Sequence, residues 1–261
     1  MRTLIVGKNS FIGRSFFHST KNVDIVSYND LDNVKFSKYN TILNCAITPE
    51  YKVATSSNRR DDLDFLVAQF ALKHNCHYIM LSTRKVYGAT DEWLTKCNEE
   101  TSLNPTDAYG HNKARTEDLI MHIGLPSVTI LRASNVYGFE YGRNSFMGFC
   151  MNQLKDTDKI VYSISPETKR DFISIKSVCK VLNRVVQQQP HGIYNLSSNY
   201  GLPIGDVARS LIEGYGSGEF ISTSTELKDQ FVLDNTKLIQ KLNIELPIFQ
   251  RKYIKKLGEK L

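Results

Sequence analysis

The chain has 261 residues, 41% of them hydrophobic, enough for one large core or a large domain with a small companion. Its 33 Lys and Arg against 27 Asp and Glu leave a net charge of +6 with no basic block and no interleaved aromatics. That excludes a nucleic-acid-binding class and suits an anionic, phosphate-bearing ligand. Five cysteines without a C-x-x-C, no apolar run near the ~18 residues of a membrane span, and a core-like strand straight after Met1 predict a cytoplasmic protein with reduced thiols, no signal peptide and no membrane segment.

The predicted elements alternate. Thr3–Gly7 is a short apolar strand ending in glycine, and a helix near Phe11–Ser19 sets Ile12 and Phe16 on one face. Val23–Ser27 is the second strand and Asn40–Ala46 the third, with a crossover between them too short for a full helix. Asp61–His74 carries Leu63, Leu66, Val67, Phe70 and Ala71 at helical spacing. His77–Ser82 is a strand, Ala108–His122 a helix with Leu119 and Ile120 inward, and Ser127–Arg132 a strand. Such alternation predicts an α/β fold, a Rossmann-like doubly wound parallel sheet that binds ligands at the carboxyl ends of its strands. Residues 1–134 form the expected dinucleotide-binding domain, with 170–196 returning to it. Residues 135–169 and 197–261 form a small substrate-binding domain. Phe139–Gly148, rich in Gly, Tyr and Phe, suits a substrate-covering loop, and Val178–Gln188 and Ile204–Tyr215 are amphipathic helices. His74, Cys76 and His77 lack the further ligands a metal needs, so no metal site is expected.

Between the first strand and first helix lies Gly7-Lys-Asn-Ser-Phe-Ile-Gly13. A chain there can offer backbone N–H groups and a helix N-terminus to a pyrophosphate. Gly7 permits the tight turn and Gly13 close packing of helix on sheet, while Ser10 stands where a glycine would allow the closest approach. An acid about 20 residues further on would hold the ribose hydroxyls of NAD. Ser27 stands there instead, with Asp30 nearby, and Lys8 and Arg14 are placed to meet a 2′-phosphate. NADP(H) is therefore favoured over NAD(H).

Tyr109 and Lys113 are four residues apart on a predicted helix, hence on one face with Cβ atoms roughly 6 Å apart. A phenol of ordinary pKa about 10 is a poor base near neutrality, and a neighbouring ammonium is expected to lower that value. The pair could then move a proton at a sugar oxygen. Taken alone, the spacing is a common coincidence. Together with Leu81–Gly88 (LSTRKVYG), Leu131–Gly138 (LRASNVYG), Arg170–Ile175 (RDFISI), Gly192–Ser198 (GIYNLSS) and Leu233–Leu238 (LDNTKL), in that order, it resembles the extended short-chain dehydrogenase/reductase family in its epimerase/dehydratase and sugar-nucleotide reductase branches.

The resemblance implies that Thr83, Tyr109 and Lys113 are catalytic. Tyr109 would be the acid–base, Lys113 would hold the nicotinamide ribose and tune the phenol, and Thr83 would bond the reacting oxygen. It implies a cofactor on Gly7, Ser10, Phe11, Ile12, Gly13, Arg14, Cys45 and Ala46 as well as Tyr109 and Lys113. Thr83, Asn135 and Arg170 would bind the substrate, a nucleotide-diphosphate sugar. Asn112 replaces the serine usual before the lysine, with little consequence expected. The dehydratase branch carries Asp–Glu after the catalytic threonine, where this chain has Arg84 and Lys85, so dehydration is not expected. The resemblance leaves reduction of a keto group at C4 of a deoxysugar, for polysaccharide or glycoconjugate precursors. The alternatives are C4 epimerisation with tightly held NAD and a non-catalytic nucleotide-binding protein. Relatives often pair as homodimers through the helix at Ala108–His122.

Overall fold

The apolar runs form strands and the amphipathic runs form helices in a computed structural model that describes residues 2–55, 62–89, 91, 93–247 and 251–261. In chain order the first part comprises β1 (Thr3–Val6), α1 (Phe11–Ser19), β2 (Val23–Val26), β3 (Thr41–Asn44), α2 (Glu50–Val53), α3 (Leu63–Lys73), β4 (His77–Thr83), β5 (Thr95–Cys97), α4 (Ala108–His122), β6 (Val128–Ala133) and β7 (Asn135–Tyr137). Then follow α5 (Phe146–Thr157), β8 (Lys159–Tyr162), β9 (Lys169–Ser174), α6 (Ile175–Gln188), β10 (Gly192–Leu196), β11 (Gly201–Pro203), α7 (Ile204–Tyr215), β12 (Glu219–Ser222), β13 (Phe231–Leu233), α8 (Thr236–Leu242) and α9 (Arg251–Gly258).

The main sheet has the order β10-β6-β4-β3-β1-β2 and all its pairs are parallel. Side chains alternate between its faces. Leu4, Val6, Ile42, Tyr78, Met80 and Ile130 pack with α3 and α4 on one face. Ile5, Leu43, Ile79 and Leu131 pack with Phe16 of α1 and with α6 and α8 on the other. Both faces are covered, which is why these strands are continuous apolar runs. Between β2 and β3 the crossover is reduced to two short 3-10 turns, Tyr28–Asn33 and Phe36–Lys38. Part of Asp61–His74 is the helix α3, and Asp61 lies outside the described residues.

A second sheet, β11-β9-β13-β5 with β7 alongside β9, stands beyond the carboxyl end of β6. A third pair is β8 with β12. Their core gathers Met147, Met151, Phe172, Val207 and Leu211 from β9, α5 and α7. Strand β9 belongs to this second sheet, whereas α6 packs on the main sheet and β10 pairs with β6. The loop after β7 is shorter than the expected cover, because α5 begins at Phe146.

His77 is a core histidine. Its Nδ1 lies 2.8 Å from Ser127 Oγ and its Nε2 3.0 Å from Thr129 Oγ1. Neighbouring Cys76 donates its thiol to the Tyr39 carbonyl at 3.1 Å. Burial, helped by nearby His191, lowers the His77 pKa to about 4. A depressed imidazole stabilises the fold above its unfolded value of about 6.5, and that contribution is lost as pH falls toward 4. The stability advantage of the wild type over His77→Gln is therefore expected to shrink by about 2 kcal/mol between pH 7 and pH 5, measured by urea unfolding. Asp171, raised by burial to about 6, runs in the opposite sense but cancels because both proteins carry it.

Candidate active site

The turn after β1 is built to approach other backbone closely. Gly7 has φ +121°, and a Cβ there would sit 2.9 Å from Ala46 N and from Cys45 C, so a side chain is excluded twice over. Ser10 caps α1, its Oγ accepting from Gly13 N at 2.8 Å. The backbone N–H groups of Phe11 and Ile12 find no acceptor among the described residues, as expected for the first turn of a helix. A cavity of about 250 Å3 opens over this turn, lined by Gly7, Lys8, Asn9, Ser10, Ser27, Tyr28, Cys45, Ala46, Ile47 and Arg143. Two cations and no carboxylate line it. These residues fit a dinucleotide's diphosphate and adenosine: free N–H groups at a helix N-terminus, a side-chain-free turn, and positive charge. Of the expected contacts, Gly13 is buried in helix–sheet packing and Arg14 lies on the exposed side of the first turn of α1, both outside this lining, while the Phe11 ring lies beneath Arg143. Asp30 is likewise exposed on its 3-10 turn.

A second cavity of about 220 Å3 shares Cys45, Ala46 and Ile47 with the first and continues it along the strand ends. Ile12, Thr83, Tyr109, Lys113 and Ser134 line it. Thr83 ends β4, and its Oγ1 accepts from Lys85 N at 3.3 Å. Ser82, one residue earlier, turns its hydroxyl to Glu117 on α4. Asp107 caps α4 by accepting from Gly110 N at 2.8 Å. A Cβ on Gly110 would lie 2.7 Å from the Lys85 carbonyl, so the glycine in the Tyr109–Lys113 segment lets α4 rest against the turn that follows Thr83. Helix and strand end thereby bring the threonine, phenol and ammonium to one cavity. Asn112 does more than expected. It is buried and donates to the carbonyls of Tyr51 and Ala54 at 2.9 and 2.8 Å, tying α2 to α4.

Lys113 has a partner that spacing does not reveal. Its Nζ lies 2.5 Å from Asp64 Oδ2 and donates to the Leu81 carbonyl at 2.8 Å. Lys113 and Asp64 side chains are each 3% exposed. Asp64 Oδ1 accepts from Asn44 Nδ2 at 2.8 Å and from the Tyr78 hydroxyl at 2.9 Å. Burial opposes charge on Lys113, but Asp64 and the phenols of Tyr109 and Tyr51 outweigh it and raise the ammonium's pKa. The expected lowering of the Tyr109 pKa is corrected, chiefly by burial of the phenol. Burial raises the phenol, Lys113 pulls it down, and Asp64 and Asp107 push it back up, for a net rise. Asp64 offsets part of the pull that Lys113 exerts on Tyr109. Cys45, lining both cavities, is raised by burial to about 12 and is a poor nucleophile.

The NAD dependent epimerase/dehydratase family model matches residues 8–197. The chain belongs to this family. Over 173 residues it is 28% identical to a trifunctional UDP-glucose 4,6-dehydratase/UDP-4-keto-6-deoxy-D-glucose 3,5-epimerase/UDP-4-keto-L-rhamnose-reductase of Arabidopsis thaliana, covering 62% of this chain and 26% of that protein. The chain spans 26% to 37% of the length of the curated relatives first matched. A UDP-N-acetylglucosamine 4-epimerase of Methanobrevibacter ruminantium, solved with UDP-N-acetylmuramic acid, superposes with TM-score 0.81 at 16% identity, over 99% of this chain and 97% of that one. RMD of Pseudomonas aeruginosa, solved with NADPH, gives 0.80 at 14% identity, over 99% and 98%. At such identities the likeness concerns the fold.

In this member of the family, Asn135 and Arg170 are not among the residues lining the Thr83–Tyr109–Lys113 cavity, although Asn135 follows Ser134, which does line it. Asn135 opens β7 and pairs with Phe172 of β9. Arg170 donates to the carbonyls of Asp229 and Lys228 at 3.1 and 3.2 Å and lies 3.4 Å from the Asp229 carboxylate. Arg84 grips the same carboxylate with both nitrogens, at 2.6 and 2.5 Å, and lies 4.1 Å over the Phe231 ring. Lys85 pairs with Asp107. The two cations after Thr83 thus join β4 to the second sheet and to α4, and neither supplies the carboxyl groups of the dehydratase branch.

Proposed function

We propose that the protein is an NADP(H)-dependent reductase of a keto group, at C4, on a nucleotide-linked deoxysugar. The observation that carries this reading is the Asp64 carboxylate against Lys113. Reduction consumes one proton at the carbonyl oxygen, so it needs a protonated phenol. An epimerase must first strip a proton from a hydroxyl, and so needs a phenolate at neutral pH. Burial and the Asp64 charge hold Tyr109 in the protonated form. Bound NADPH would supply the hydride, and its uncharged reduced ring adds no cation to acidify the phenol. Tyr109 then gives its proton to the carbonyl oxygen as the C–H bond forms, and the Thr83 hydroxyl bonds that same oxygen. Lys113, held by Asp64 and Leu81, keeps one N–H for a ribose hydroxyl.

The cofactor preference is supported by the absence of any carboxylate from the lining at Ser27 and by Lys8. Among the described residues no helix is long and apolar enough to cross a membrane, and all five cysteines are free, which supports a cytoplasmic setting. Incubated with a 4-keto-6-deoxy nucleotide sugar, the protein is expected to oxidise one NADPH per sugar, followed by loss of absorbance at ~340 nm, with NADH slower. Release of bound NAD from the denatured protein, with no net NADPH loss, would replace reduction by C4 epimerisation.

A further inference from the structure

We propose that Arg143 is a diphosphate-binding residue that closes over the cofactor from the wall of the cleft opposite the glycine turn. The inference rests on the dinucleotide reading above. Arg143 belongs to the segment between β7 and α5, more than 120 residues after the turn it faces. It lines the cavity over Gly7 and Ser10, and its guanidinium carbon lies 5.3 Å from the centroid of Phe11, the first residue of α1. The two chain segments are in contact there, since a Cβ on Gly138 would meet Phe11 Cζ at 2.7 Å.

The turn that presents Arg143 is fixed by its own hydrogen bonds. Arg143 N donates to the Glu140 carbonyl at 3.0 Å, Gly142 N donates to Asn152 Oδ1 at 2.7 Å, and Ser145 caps α5 by accepting from Gly148 N at 3.0 Å. The guanidinium lies over the Phe11 ring and is otherwise held only by a loose ion pair. Its ion-pair neighbour Glu140 is 3.8 Å away, beyond hydrogen-bond reach. Among the described residues it donates no side-chain hydrogen bond. Glu140 is 3% exposed, and burial raises its carboxyl pKa while Ser145 and Arg143 pull it down. A guanidinium fork matches two phosphate oxygens. The free N–H groups of Phe11 and Ile12 would meet the diphosphate from one side and Arg143 from the other.

The test is the affinity of wild type, Arg143→Ala and Arg143→Lys for NADPH, NADH and ADP by calorimetry. Arg143→Ala is expected to weaken all three about 10-fold, the loss of one charge-assisted contact, with Arg143→Lys intermediate. The half-exposed position predicts an unchanged melting temperature for the free protein. A loss confined to NADPH would make Arg143 a 2′-phosphate contact and overturn the assignment, as would unchanged affinity for all three. Wild-type protein that binds none of them takes the dinucleotide reading and this assignment down together.

Discussion

Tyr109→Phe is expected to cut turnover about 10^3-fold while NADPH affinity stays within about twofold, because the substitution removes one proton donor and nothing else. The ring keeps its shape and its edge-on contact with Tyr51, with centroids 6.4 Å apart at 76°. Lys113 does not depend on the phenol for its position, because Asp64 and the Leu81 carbonyl already hold it. The variant therefore separates proton delivery from cofactor binding, and steady-state assays beside a fluorescence titration of NADPH measure the two. Turnover within about tenfold of wild type would show that another group delivers the proton.

Asp64→Ala is expected to lower stability by about 3–5 kcal/mol, among the largest effects of any single change in this chain. The loss leaves the Lys113 ammonium buried with only the Leu81 carbonyl, and strips Asn44 and Tyr78 of their shared acceptor. Urea unfolding of Asp64→Asn, Lys113→Met and the double variant isolates the pair. The double variant should lose less than the sum of the singles by about 2 kcal/mol or more. Additive losses would mean that the two residues do not act as a unit.

Much of the main sheet is legible in the chain because local and tertiary signals agree. Thr3–Val6 and Phe11–Ser19 alternate in period where expected, Ala108–His122 is the helix its pattern predicts, and the short stretch after Val26 has no room for a helix. The cavity-lining trio Thr83, Tyr109 and Lys113 follows from two ordered motifs on β4 and α4. Asp64 was harder to find because its partner is 49 residues away. A local signal existed: Asp64 shares the buried face of α3 with Val67, Ala68 and Ala71, at offsets of three, four and seven, where a lone carboxylate needs a partner. Burial of the phenol, with Asp64 beside it, gives the Tyr109 pKa the opposite sign from that expected of a neighbouring ammonium alone. Arg143 had no such signal, since a turn residue has no periodicity and its neighbour Phe11 is reached only through the fold. Asn112 looked like a neutral replacement because its acceptors, Tyr51 O and Ala54 O, come from another element.

The ionisation of the Tyr109 phenol bears most directly on the role of Asp64. Carbon NMR of ring-labelled tyrosine, assigned with Tyr109→Phe, can follow it in the free protein. The wild-type phenol should titrate above its ordinary value of about 10, and Asp64→Asn should move it down. A wild-type phenol that ionises below about 8, or one indifferent to Asp64→Asn, would contradict a resting site set to donate a proton.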